Sequence, residues 1–283
     1  MTTTTVMQEN ILEEFRLLKK AKEYPFPVPS FSYFFLNGEA FVIKELIESN
    51  LGNSKIIYKN AVFNFSELIG STNSKNLPHL RELTPVLAYG SNGSVQQLVR
   101  KFSGFSTFTF IPVIKAKLYD FDVVYSAHFA AYGAVPLTLQ FSKGTVLHTF
   151  ITFLTDAQLK RMHQSESVGT NYYYGELINV NINFERNILN EIYSYFSLHG
   201  CLFIDNTFYS SADVLAIKRS FPSLHEEGIL RKVQYFLDGR KSNLDEFILE
   251  NIRDDEIRRV RTRLLEKEAK EIDYNDIKVL KGK

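Results

Sequence analysis

Apolar residues near the start of the chain repeat with the period of an amphipathic helix. In residues 8–23 they are Ile11, Leu12, Phe15, Leu18 and Ala21. Prolines at positions 25, 27 and 29 follow, and proline cannot continue a helix because it lacks a backbone N–H group. The pattern therefore predicts an N-terminal helix that ends before an extended connector.

From residue 85 to about residue 189, short runs of β-branched and aromatic residues alternate with glycines. The runs that predict strands are 86–88, 107–116, 123–127, 138–141, 146–154 and 172–180. A doubly wound parallel sheet needs long helices between its strands, and residues 105–154 contain no such segment. This region predicts a mixed sheet or a small barrel, so we expect an α+β protein.

The two ends of the chain differ from this central region. Residues 31–65 combine strand-like runs with turns, and the polar segment 70–76 is typical of a linker. After residue 190 the sequence becomes more charged and helical, and Ile257, Val260 and Leu264 predict one packed stripe on a surface helix. We therefore divide the chain into an N-terminal helix and strand-rich extension (1–80), a central domain (81–190) and a mainly helical C-terminal extension (191–283).

The composition of the chain limits the cellular compartment and the binding partners that we expect. The chain has 283 residues, 45% of them hydrophobic, and its formal net charge of +1 gives no long-range field that would attract nucleic acid or an anionic membrane. Its one cysteine, Cys201, permits no internal disulfide. Neither a signal sequence nor a run of about eighteen apolar residues is seen. We expect a cytoplasmic protein that binds neither nucleic acid nor membranes.

One loop in the central region has the features of a ligand-binding site. Tyr89-Gly90-Ser91-Asn92-Gly93 stands between the predicted strand 86–88 and a helix-like segment, 95–102, for which Ser94 and Gln97 fit a capping box. A turn at the start of a helix leaves several backbone N–H groups unpaired at the positive end of the helix dipole. The loop therefore predicts an anion-binding site, and the structural alternative is an ordinary strand-turn-helix junction.

Glu166 is the candidate acid/base. Thr155-Asp156-Ala157-Gln158 fits a second capping box, and the helix that it opens carries Leu159, Met162 and Glu166 on one face. A carboxyl group with little water around it has its charged form disfavoured, which suits proton exchange near neutral pH. The alternative is that Glu166 ends the helix and points to solvent.

Three tyrosines follow this helix, in a predicted strand. Successive side chains of a strand point to opposite faces, so Tyr172, Tyr173 and Tyr174 divide between the two faces. We expect one phenol to enter the pocket, and we choose Tyr173.

Together these segments resemble the gamma-glutamylcyclotransferase-like superfamily, which includes the AIG2-like proteins. Leu87-Ala88-Tyr89-Gly90-Ser91-Asn92 looks like the strand and YGSN-type loop with which those domains begin. Residues 146–154, 159–166 and 171–174 are similar to the family's later strand, its short helix with an acidic residue near the end, and its tyrosine-containing strand. The resemblance implies a small mixed β-barrel with flanking helices, to which this chain adds helical segments at both ends.

The resemblance also implies a reaction and a site. A transferase or lyase of this family cleaves a gamma-glutamyl amide by attack of the alpha-amine on the side-chain amide, which releases 5-oxoproline and an amine. Glu166 would be the acid/base, and Tyr89, Gly90, Ser91 and Asn92 would cradle the substrate carboxylate and the developing oxyanion. No metal ion and no organic cofactor is implied.

Two other classes of function were weighed. One is a catalytically inactive small-molecule-binding or protein-interaction module on the same fold, with a protein partner held through the C-terminal helical region. The other is a serine hydrolase with Ser91 as nucleophile and His128, His148 or His163 as base. The hydrolase elbow requires glycine two positions before the serine, and this chain has Tyr89 there.

Metal and nucleotide sites have no sequence support. The six histidines include no pair at i and i+4 and no HExxH motif. Neither G-x-G-x-x-G nor a P-loop occurs. The sequence therefore favours a metal-free and cofactor-free site.

Overall fold

The structure, a computed structural model, describes residues 3–74, 77–106, 108–239 and 243–283, with the side chains of residues 3–10 and 71–74 left out. The described α-helices are α1 (Thr3–Lys22), α2 (Phe65–Ser74), α3 (Val95–Phe102), α4 (Asp156–Ser165), α5 (Glu226–Asp238), α6 (Leu244–Arg253) and α7 (Asp255–Glu266). The predicted linker at residues 70–76 lies partly in α2 and partly outside the described residues.

The described strands come in chain order. They are β1 (Tyr33–Leu36), β2 (Glu39–Glu45), β3 (Lys55–Tyr58), β4 (Ala61–Asn64), β5 (Thr84–Ala88), β6 (Phe110–Tyr125), β7 (Leu137–Leu154), β8 (Tyr172–Phe184), β9 (Asn187–Ser197), β10 (Cys201–Ile204), β11 (Thr207–Phe208), β12 (Ser210–Ser211), β13 (Ala216–Ile217), β14 (Ser223–Leu224), β15 (Ala269–Lys270) and β16 (Ile277–Lys281).

The chain forms two compact units, each assembled from separate stretches of sequence. One contains Phe26–Asp120, Val146–Leu198 and Tyr274–Lys283, and we call it the barrel unit. The other contains Met1–Pro25, Phe121–Thr145 and His199–Asp273, and we call it the helical unit. The division of the sequence at residues 80 and 190 remains a prediction.

Five strands close a mixed barrel. In order around the ring they are β7, β5, β9, β8 and β6, with β6 pairing back to β7. β5 runs antiparallel to β7 and parallel to β9, and β8 is antiparallel to both β9 and β6. Beyond the ring, β1 to β4 continue the sheet from β6, and β16 pairs with β8. The predicted α+β class with a small mixed barrel is confirmed.

Two long strands replace four predicted shorter ones. Residues 123–127 were predicted as a strand separate from 107–116, of which residue 107 lies outside the described residues, yet β6 runs without a break from Phe110 to Tyr125. Residues 138–141 and 146–154 likewise belong to the single strand β7. Asp120 in β6 and Gly144 in β7 have positive φ values of 65° and 86°, so each strand continues through an irregular position.

An apolar cluster fills the barrel unit between its sheet and two of its helices. Ala88 of β5, Leu98 and Phe102 of α3, Met162 of α4 and Tyr174 of β8 are among its buried members. Burial of the apolar faces of α3 and α4 in this one cluster holds both helices against the sheet. The candidate site residues lie at these helix termini.

The helical unit buries the apolar faces of α5 and α6. Helix α7 forms as predicted, but its predicted packed stripe is wrong: Val260 and Leu264 are exposed, and Leu265 is fully buried. Arg261 also packs, with its guanidinium 4.0 Å from the centre of the Phe247 ring. None of the helices in the described parts of the chain combines the length and apolar character needed to span a membrane.

Candidate functional site

The Tyr89–Gly93 loop forms where β5 ends and α3 begins. Residues Ser91–Gly93 make one turn of 3₁₀ helix, and α3 starts at Val95. The capping box predicted for Ser94 and Gln97 is absent, because the Ser94 side chain makes no capping hydrogen bond. Gln97 instead accepts from Nε of Arg100 at 2.9 Å. The 3₁₀ turn directly before α3 takes the place of the side-chain cap.

The turn keeps donors free. Within the described residues, the backbone N–H groups of Ser91 and Asn92 donate to no acceptor, and both residues are half-buried. The N–H group of Ser94, by contrast, closes the turn by donating to Ser91 O at 2.9 Å. Two unpaired donors at the start of a helix are suited to holding an anion.

Two tyrosines hold the loop in place. The Tyr89 hydroxyl donates to the backbone oxygen of Tyr195 at 2.6 Å, and the Tyr33 hydroxyl donates to the backbone oxygen of Gly93 at 2.8 Å. Gly93 is needed for close packing, since a Cβ atom there would lie 3.0 Å from Cδ2 of Phe150. The phenol of Tyr89 therefore anchors the loop, whereas the sequence resemblance had assigned it to the substrate.

Glu166 directly follows α4. The capping box predicted at the start of this helix is confirmed, with Gln158 N donating to Thr155 Oγ1 at 3.3 Å and Thr155 N donating to Gln158 Oε1 at 2.9 Å. At the other end, the N–H group of Glu166 donates to Met162 O at 3.0 Å. The Glu166 side chain is 15% exposed, so it does not project into solvent.

A residue that the sequence interpretation missed connects Glu166 to the loop. Nζ of Lys101, on the last turn of α3, donates to Oδ1 of Asn92 at 2.5 Å and forms an ion pair with Oε1 of Glu166. Met162 Sδ lies 3.6 Å from the same nitrogen. The Lys101 side chain is 4% exposed. One buried ammonium group therefore brings the predicted anion loop and the predicted acid/base together.

The sequence contained a signal for Lys101. It lies three residues after Leu98 and next to Phe102, both of which are buried, so it occupies the apolar face of α3. A lysine on that face needs a partner, because burying an unpaired charge is costly. The sequence interpretation considered only the burial of Glu166, whereas the structure places the Lys101 ammonium group against its carboxylate.

Tyr195 of β9 lies close to Glu166. Burial raises the pKa of the Tyr195 phenol, and the negative charge of Glu166 raises it further. The Tyr195 hydroxyl is 2.9 Å from Nδ1 of His163, one turn before Glu166 on α4. Burial lowers the pKa of His163, with a smaller effect from the positive charge of Lys281. Both groups are thus neutral near pH 7, which leaves Lys101 and Glu166 as the facing charges.

Tyr174 lies against α4, on the face of β8 opposite to that of Tyr173. The Tyr174 ring belongs to the apolar cluster with Met162 and lies 4.6 Å from the centre of the His163 ring. Because neighbours on a strand face opposite sides, Tyr173 points to the other face of β8, where it stacks on Phe196 at 5.1 Å. The assignment of Tyr173 to the substrate remains a prediction, and the phenol beside His163 is that of Tyr174.

The described residues contain no group of three or more His, Cys, Asp and Glu side chains able to hold a metal ion. Two of the three candidate hydrolase bases have other neighbours: Nδ1 of His128 lies 2.7 Å from Oγ of Ser126, and Nδ1 of His163 lies 2.9 Å from the Tyr195 hydroxyl. Among the contacts described, neither pairs with Ser91.

Comparison with known proteins gives distant structural likenesses. No protein-family model matches the chain, and no curated protein matches it in sequence. The chain is similar to a solved gamma-glutamyl cyclotransferase, with 18% identity over 41% of this chain and 67% of that one, at a TM-score of 0.33.

Two further solved structures extend this comparison. A protein from Arabidopsis thaliana is 15% identical over 57% of this chain and 95% of its own, at a TM-score of 0.31. An uncharacterized human protein is 14% identical over 69% and 92%, at a TM-score of 0.35. These likenesses are distant, and they assign no residue of this chain a role.

Proposed function

We propose that the protein is a gamma-glutamylcyclotransferase-like enzyme that cleaves a gamma-glutamyl amide by intramolecular aminolysis. The observation that carries this proposal is the meeting of Glu166 with the Tyr89–Gly93 loop at Lys101 Nζ. Only Oε1 of Glu166 is taken by Lys101, and Oε2 has no hydrogen-bond partner among the described residues. One carboxylate oxygen is therefore available to a ligand.

In the proposed reaction, Oε2 of Glu166 accepts a proton from the alpha-ammonium group of the substrate. The freed amine attacks the side-chain amide carbon, and a new C–N bond closes the five-membered ring. The amide C–N bond then breaks as the leaving nitrogen takes the proton from Glu166, and the ring nitrogen passes its remaining extra proton through the same carboxylate to the released amine. The products are 5-oxoproline and an amine, and the carboxylate is restored.

The loop stabilises negative charge on the substrate, while Glu166 exchanges the protons. Backbone N–H groups of Ser91 and Asn92 are positioned to hold an anionic group, either the substrate carboxylate or the oxyanion that forms during attack. Donors fixed in a partly buried turn need little reorganisation as charge develops. A substrate that carries both a carboxylate and an amine fits these two sets of groups.

The test is release of 5-oxoproline from a panel of gamma-glutamyl amines and peptides by the full-length protein. We expect saturable turnover of at least one of them, and a fall in kcat of about 100-fold or more in Glu166→Gln, because general acid–base groups contribute on that scale. Glu176→Gln is the matched control, since Glu176 is 13% exposed and also pairs with a lysine, Lys278. Its turnover should equal that of the wild type.

Two outcomes contradict the proposal. Equal turnover in the wild type and Glu166→Gln would remove Glu166 from the reaction. Saturable binding of the panel with no product would instead identify the alternative, a binding module without turnover.

A further inference from the structure

The Lys101–Glu166 pair contributes more than attachment of α3 to α4. A glutamate at the end of a helix has several side-chain rotamers, and a base must point one oxygen at the proton that it accepts. Here Lys101 fixes Oε1, which leaves Oε2 as the oxygen that can turn toward a ligand. The same Nζ also holds Asn92, so the direction of the carboxylate is set relative to the loop.

We propose that Lys101 is a positioning residue that keeps Glu166 ionised and aimed at the ligand of the Tyr89–Gly93 loop, an inference that rests on the proposed function. Without Lys101, burial of the carboxyl would favour its neutral form, which cannot accept a proton.

The uncharged groups around the Lys101–Glu166 pair cannot supply the positive charge that Lys101 supplies. Asn92 from the loop and Met162 from α4 contact Lys101 but carry no charge. His163 of α4 and Tyr195 of β9 are neutral near pH 7, for the reasons given above. Tyr174 of β8 is also neutral, since burial raises the pKa of its phenol, as do Tyr193 and Glu176 more weakly.

Two further cations lie near this cluster without contacting the carboxylate. The positive charge of Lys281, on β16, acts on His163. Arg161 of α4 donates from Nε to the backbone oxygen of Lys101 at 2.8 Å, so it fastens the end of α3 and not the carboxylate. Among the described contacts of Glu166, Lys101 supplies the positive charge.

The experiment compares Lys101→Met and Lys101→Gln, which remove the charge, with Lys101→Arg, which keeps it. Lys278→Met is the matched control, because it breaks a second lysine–carboxylate pair of the barrel unit, where Lys278 Nζ lies 3.6 Å from Glu176. Two readouts are taken: the pH profile of kcat/KM for 5-oxoproline release, and the carboxyl ¹³C titration of Glu166, assigned with Glu166→Gln. The second needs no turnover.

For both charge-deleting variants we expect the acidic limb of the profile and the Glu166 titration to move to higher pH. At pH 6 the loss in kcat/KM should be about tenfold and should shrink above pH 8, as expected for loss of an opposite charge. Lys101→Arg and Lys278→Met should match the wild type.

Unchanged Glu166 titration in folded Lys101→Met and Lys101→Gln overturns the proposal. If both variants fail to fold, the wild-type titration decides, because a Glu166 carboxyl that already holds its proton at neutral pH contradicts the role given to Lys101. Absence of turnover from every substrate, with the Glu166 titration shifted as expected, would refute the proposed function and leave the Lys101 effect established.

Discussion

Tyr89 and Tyr195 join the two halves of the candidate site. The Tyr89 hydroxyl donates to the backbone oxygen of Tyr195 at 2.6 Å, and the Tyr195 hydroxyl meets Nδ1 of His163 at 2.9 Å. One residue of β9 therefore contacts both the first residue of the loop and α4, the helix that Glu166 directly follows. These two hydrogen bonds tie both the loop and the helix before Glu166 to strand β9. They therefore set the distance between the loop and the Glu166 carboxylate whether or not a ligand is bound.

Tyr89→Phe should lower the free energy of unfolding much more than it lowers kcat. The change leaves the buried backbone oxygen of Tyr195 without this donor, and an unsatisfied buried acceptor costs about 1–3 kcal/mol. We expect a loss of that size in urea unfolding, with kcat changed much less. Tyr235→Phe, at a side chain 62% exposed, is the control and should be neutral. Unaltered stability together with a large loss of kcat would show that Tyr89 serves the substrate.

Glu226→Gln should stabilise the helical unit at neutral and alkaline pH. Burial raises the pKa of Glu226 well above its ordinary value, and Oε2 has no partner among the described residues. Because the folded state holds this proton more tightly, its contribution to stability is complete below about pH 4.5 and is lost as the pH rises through the folded pKa.

Glutamine can still accept from the Val135 N–H group, now 2.6 Å from Oε1, and cannot ionise. We expect Glu226→Gln to melt several degrees above the wild type at pH 8, with a smaller difference at pH 5, as followed by calorimetry. A variant that melts below the wild type at both pH values would show that the carboxyl itself is required.

His128 should give the opposite pH dependence. Burial lowers the pKa of His128 well below its ordinary value, and the charge of His199, whose ring stacks on it at 4.2 Å, lowers it further. The unfolded chain takes up the proton first, so stability is complete above about pH 6.5 and declines as the pH falls toward the folded pKa.

His128→Asn can retain a hydrogen bond to Ser126 and carries no titratable group. We expect its thermal midpoint to depend less on pH between 6.5 and 5 than that of the wild type, while His225→Asn, at a side chain 74% exposed, should leave the dependence unchanged. If the thermal midpoints of His128→Asn and the wild type depend equally on pH, His128 is not the source of that dependence.

Local patterns in the sequence predicted the elements that hold the site. The Thr155–Gln158 capping box and the apolar spacing of α3 and α4 depend on neighbours along the chain, so both helices were predicted. Tyr174 was missed because alternation divides neighbouring tyrosines between two faces without saying which face is inside. Lys101 was missed because its partners, Asn92 and Glu166, meet it only after the chain folds.

The strand lengths show a second limit of local pattern. Gly144 suggested the end of one strand and the start of another, yet β7 continues through it. Pairing with neighbouring strands decides where a strand ends, and pairing partners are distant in sequence. Residues on α7 were misassigned for a similar reason: the guanidinium group of Arg261 packs on the Phe247 ring, so a charged position is packed while Val260 is exposed.

The central claim is that the loop donors and Glu166 serve one ligand, and the most direct measurement is a titration of ¹⁵N-labelled protein with 5-oxoproline. We expect saturable shifts of the Ser91 and Asn92 backbone amide signals, together with a change in the carboxyl ¹³C signal of Glu166. The lactam 2-pyrrolidinone, which lacks the carboxylate, distinguishes the two groups that the loop could hold: the two amide signals should stay in place where the loop binds the carboxylate and should move where it binds the ring oxygen. If 5-oxoproline moves neither amide, or moves them without affecting Glu166, the two groups do not form a common site.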